Sequence, residues 1–121
     1  MKKDINDIDD IKFLVDTFYS RVRKDEVLGS IFNNAIGDNW DAHLNKMYRF
    51  WQTILFHEQS YYGSPFPPHM KLAIGQVHFE KWIGIFQQTV TDFFNGEIAE
   101  QAKWRGQKIA ETFQLKLEYA V

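Results

Sequence analysis

The chain has no cysteine and only three prolines in 121 residues. The first absence excludes a disulfide framework, a thiol nucleophile, thiolate-bound zinc or iron–sulfur clusters, and any thioether attachment of a cofactor. Apolar stretches stop after a few residues, so no segment reads as a membrane span. The opening MKKDINDIDDIKF puts acids where a signal peptide needs an apolar stretch, and the expected address is the cytoplasm. Fourteen basic and sixteen acidic side chains leave a net charge of −2, which excludes a broad basic footprint for nucleic acid. No repeat, low-complexity tract or Ser/Gly linker divides the chain, and no HExxH is present to suggest zinc hydrolysis.

Aromatic side chains are abundant instead. They make up 17% of the residues, with eleven Phe, five Tyr and four Trp. Such a set packs a dense core, or it lines a pocket for a large flat ligand. Composition alone leaves both open, including a helical interaction domain whose aromatics are simply core. A single domain of this length buries roughly two-thirds of its unfolded surface and needs no covalent staples.

Hydrophobic spacing predicts an all-α fold of four main helices and no strand. The first runs from about Asn6 to Lys24, with Ile8, Ile11, Val15, Phe18, Tyr19 and Val22 on one face. Gly29 then marks a turn, with a short helical turn at Ile31-Phe32. A second helix spans about Asn39 to His57, capped by Asp38 or Asn39, and carries Trp40, Leu44, Met47, Phe50, Trp51, Ile54 and Leu55 inward. Residues Glu58 to Gly75 read as irregular, because all three prolines fall between Pro65 and Pro68. The third helix covers about Gln76 to Asn95 with Phe79, Trp82, Ile83, Phe86, Val90, Phe93 and Phe94 inward, closed by a left-handed Gly96. The fourth covers about Glu97 to Tyr119, with Ile98, Ala102, Ile109, Phe113 and Leu117 inward and Gly106 admitting a close neighbour. A connection of roughly 18 residues between the middle helices is too long for an ordinary four-helix bundle and points to function.

Of the four histidines, His57 at a helix end and His78 beside a core position read as surface residues. His43 is a polar ring inside an aromatic stripe. It is either a core histidine with local partners or one that points into a lined cavity. His69 follows Phe66-Pro67-Pro68, whose restricted backbone holds a ring with little entropy left to lose. It is either a surface loop histidine or a metal ligand, the commonest metal-binding role being that of neutral imidazole. Tyr19, His43 and Trp82 put one hydrogen-bonding group on each of three inward stripes, where Phe or Leu would be cheaper in a purely structural core.

At these residues the sequence resembles the truncated haemoglobins of group III, over about Ile11 to Leu117. The stretches that carry the likeness are Phe18-Tyr19 through Asp25, Leu28-Gly29 through Gly37, Trp40-Asp41-Ala42-His43, Phe50-Trp51, Tyr62-Gly63-Ser64-Pro65 through His69, and Phe79-Glu80-Lys81-Trp82. The other two groups of the family carry paired glycines between helices, and this chain has none. The resemblance implies a single truncated globin domain over residues 1–121, a two-over-two helical sandwich around non-covalent haem b. By position His69 would be the proximal iron ligand, and Tyr19, His43 and Trp82 would form the distal pocket. Phe32 would pack on the haem face and Lys46 would meet a propionate. Met47, Phe50, Phe66, Ile83, Phe86 and Phe113 would be apolar lining, with Met70 as packing. The Pro67-Pro68 pair before His69 departs from the family's usual pattern. The resemblance further implies O2, CO, NO or peroxide as ligands, with tight O2 retention or peroxidase-like or NO-consuming chemistry that needs a reductase.

Overall fold

The structure is a computed structural model that describes residues 2–57 and 75–120, with side chains described as far as residue 113. Among the described residues five helices follow in order: α1 Ile8–Lys24, α2 Leu28–Ile36, α3 Trp40–Phe56, α4 Gln76–Phe93 and α5 Glu97–Ala120. No strand occurs among the described residues.

Helix α1 begins at Ile8 because the Asp7 side chain accepts the Asp10 N–H and takes the cap position. Acids stand in its first turn and Arg21, Arg23 and Lys24 in its last, each at the end where the helix dipole favours that charge. The sequence reading allows only a turn near Ile31-Phe32, whereas α2 is a nine-residue helix. The Asp25 carboxylate explains it. This group accepts the N–H of Val27 and of Leu28, both at 2.9 Å, and pairs with Lys81 Nζ at 3.1 Å. Burial pushes its carboxyl up, but the Leu28 N–H, Lys81 and the Val27 N–H together outweigh that and hold it below the usual carboxylate range. Leu28 and Phe32, one turn apart, then bury against α1 and α4.

Helix α3 ends where His57 takes a left-handed conformation, exposed as the sequence predicts. Helices α4 and α5 pack most extensively on each other, and α1 packs on α2, α3 and α4. The core lies between these layers, centred on Val15, Phe18, Val22, Trp51, Phe86 and Val90. Phe93 departs from the predicted inward stripe. It is over a third exposed and meets the exposed ring of Phe13 edge-on at 4.9 Å, because α4 is ending there and only Phe94 turns into the core.

The N-terminal residues form an arm that the sequence reading does not anticipate. Lys3 pairs with Phe94 as a short parallel bridge, and its carbonyl accepts the Asn95 N–H. Asp4 reaches across to cap α5, with its carboxylate oxygens accepting the N–H of Ile98 at 2.9 Å and of Ala99 at 2.8 Å. Gly96 has φ +143°, and a Cβ there would stand 2.5 Å from the Asp4 carboxyl carbon. It therefore serves the start of α5, where the sequence reading takes it as the end of the preceding helix. Asp4→Ala should cost about 1–2 kcal/mol, the value of a lost N-cap, read as a lower urea midpoint at unchanged slope.

Candidate functional site

Tyr19 faces inward because it shares the α1 stripe with Val15, Phe18 and Val22. Its ring meets His43 edge-on at 5.0 Å and Trp40 at 5.7 Å. Burial pushes the Tyr19 phenol well above its ordinary range, so it stays protonated and able to donate. His43 lies half-buried on α3, its ring perpendicular to Trp40 at 5.8 Å and its Nε2 screened from solvent. Two of the three predicted polar residues are thus in direct contact.

Trp82 on α4 reaches them through an intermediate ring. Phe18 meets Trp82 edge-on at 5.4 Å and Tyr19 at 4.8 Å. Trp82 also stacks almost parallel to Phe86 at 6.0 Å, and Phe86 in turn stacks on Trp51 at 4.9 Å. Phe86 is therefore a layer of a three-ring stack, and Phe50 meets that stack edge-on through Trp51 at 5.5 Å.

Beside these rings lies a small hollow of about 20 Å³. Leu28 and Phe32 line it from α2, Phe79 and Trp82 from α4, and Ala110 and Phe113 from α5. Phe32 also contacts Tyr19, at 6.4 Å between ring centroids, so one wall of the hollow backs onto the polar pair. Met47 and Ile83 are buried in the same core, and Lys46 points outward on α3. Phe66 and His69 lie outside the described residues.

His78 is the residue that the sequence reading misplaces. It is half-buried and is one of the residues that line the hollow. Its Nδ1 accepts the Gly75 N–H at 2.9 Å, which caps α4 and fixes the ring. A histidine three positions into a helix behind a glycine was the signal available for this.

Comparison with known proteins decides the family. The model for bacterial-like globins matches residues 5–114. The chain belongs to the bacterial-like globins. It is 37% identical over 118 residues to the group 3 truncated haemoglobin of Campylobacter jejuni, which covers 94% of this chain and 93% of that protein. The crystal structure of a group III truncated haemoglobin from the same organism superposes with a TM-score of 0.87, covering 97% of this globin and 95% of that chain. The fold is accordingly the all-α two-over-two sandwich of the truncated globins, and membership in the family implies a haem-binding globin for small ligands. The side chains around the hollow have the chemistry for such a group, flat aromatic faces and aliphatic side chains for a flat, largely apolar ring with hydrogen-bond donors one ring away, and at about 20 Å³ the space between them would have to widen to admit it.

Proposed function

We propose that this globin is a single domain that holds haem b non-covalently and binds O2, CO, NO or peroxide beside Tyr19, His43 and Trp82. When bound, the haem supplies an iron with an open position for such a ligand. The observation that carries the reading is the buried contact of Tyr19 with His43, joined through Phe18 to Trp82 and set against an aromatic hollow. Phe32, Met47, Phe50, Phe66 and Phe86 would supply the apolar surroundings and Lys46 a cation for a propionate.

His69 is the proposed proximal ligand. Its iron-facing nitrogen must be deprotonated, and its other nitrogen would donate to a carbonyl or water to fix the tautomer. On the opposite side the Tyr19 hydroxyl and Trp82 indole N–H would donate to a ligand carrying partial negative charge, in surroundings of low dielectric where such bonds are strong. Several donors favour tight retention or redox chemistry on O2, peroxide or NO over easy delivery. Repeated turnover would need a reductase, and the working compartment would be the cytoplasm.

Absorption spectra of the ferric, ferrous and ferrous–CO forms test this. The wild type should show a haem spectrum with a histidine-ligated iron, and His69→Ala should lose that signature. Identical CO-bound spectra in the two proteins would assign the iron to another residue. A colourless protein that takes up no added haemin would leave only the interaction-domain reading.

A further inference from the structure

An open groove runs between α1 and α3, and Tyr19 forms part of its floor although that residue is only 4% exposed. Trp40 lies in the same groove, 8% exposed, and its ring touches both Tyr19 and His43. The indole therefore packs over both proposed distal residues, leaving Tyr19 almost no exposed surface and His43 half-buried. The Arg23 guanidinium covers that indole at 4.4 Å from the ring centroid. Arg23 is exposed, and its Nε donates to Asn33 Oδ1 at 3.0 Å, tying α1 to α2 across the ring. Tyr48 also lines the groove, its hydroxyl donating to Asp16 and its ring lying under Lys12.

We propose that Trp40 and Arg23 form an entry port through which small uncharged ligands reach Tyr19 and His43 from the α1–α3 groove. The port rests on the ligand-binding role proposed above but does not pass through the hollow. An exposed cation–π contact is weak, and an exposed arginine changes rotamer in picoseconds to nanoseconds, so Arg23 is a light cover. Trp40 is the slower barrier, because its ring is held edge-on by Tyr19 and His43 and must tilt for a molecule to pass. The charged groups of the groove are of both signs, with Arg23 and Lys24 set against Asp16 and Asp41. They offer little net attraction to an ion, and a neutral diatomic molecule is the ligand that the port fits.

CO rebinding after flash photolysis of the haem-loaded protein tests the port. Trp40→Ala should accelerate bimolecular association by about tenfold and Arg23→Ser by about two- to fourfold, as expected for removing a gate and its cover. Trp104→Ala, on an exposed position of α5, should leave the rate at the wild-type value. Association rates within twofold of wild type in both port variants would overturn the proposal. Arg23→Ser keeps the test sound if Trp40→Ala folds poorly, since Arg23 is on the surface. A second readout needs no ligand: hydrogen exchange of the Trp40 indole N–H, identified by its loss in Trp40→Phe. Arg23→Ser should speed that exchange severalfold, and an unchanged rate would refute the covering role. Were the protein to retain no haem, the proposed function and the port would fall together, while indole exchange in the haem-free chain would still decide whether Arg23 covers Trp40.

Discussion

Tyr19→Phe combined with Trp82→Phe should release O2 roughly two orders of magnitude faster than the wild type. Each donor is worth about 1–3 kcal/mol to a bound ligand, and every 1.4 kcal/mol is about tenfold. The substitutions are chosen to remove donors and little else. Phe at position 19 keeps the ring that packs on Phe18, Trp40 and His43, and Phe at position 82 keeps a flat face toward Phe86. Because the Tyr19 phenol is held protonated by burial, the single Tyr19 effect should not change between pH 6 and pH 9. Stopped-flow O2 displacement by CO measures the rates. Release that stays at the wild-type rate in the double variant would remove both residues from the ligand pocket.

Phe86→Ala should be the most damaging core substitution, costing roughly 3–5 kcal/mol out of a total stability of about 5–15 kcal/mol. Phe86 is 1% exposed, stacked on Trp51 and Trp82 and met edge-on by Phe18 at 5.2 Å. Removing it opens a cavity whose walls are rigid rings that collapse poorly. Gly106 of α5 supplies an internal control. A Cβ at Gly106 would stand 2.8 Å from the Phe86 ring, which cannot retreat between two indoles. Gly106→Ala alone should therefore destabilise, overpacking outweighing the roughly 1 kcal/mol of helix propensity that alanine brings. In the Phe86→Ala background the same change should become neutral or stabilising. A urea-denaturation double-mutant cycle reads this as a coupling of about 1–3 kcal/mol. Additive costs would show that Gly106 and Phe86 do not press on each other.

Much of this arrangement was legible before any coordinates. The helical spacing of apolar residues located α1, α3, α4 and α5 to within a few positions, and it placed Tyr19, Met47, Phe79, Ile83, Phe86 and Phe113 inward, where they are buried. Helix α2 was missed because Gly29 reads locally as a turn. The counter-signal was Asp25 three residues before Leu28, an acid spaced to take up the first free N–H groups of a helix. The Asp4 cap on α5 carried no such signal, since its donors lie more than ninety positions away.

The order of residues by itself determined an all-α chain with polar groups on three inward stripes, because a stripe is a property of one helix and its 3.6-residue period; that the chain is a globin was legible only through its resemblance to a known family. Only the packing of helices against each other decided which polar groups meet. Tyr19 touches His43, Trp82 is joined to them through Phe18, His78 turns into a wall of the hollow and Phe93 turns out to solvent. Periodicity assigns a face to a residue, but the crossing of two helices selects the ring that stands opposite it, and that selection depends on side-chain shapes brought together from distant parts of the chain.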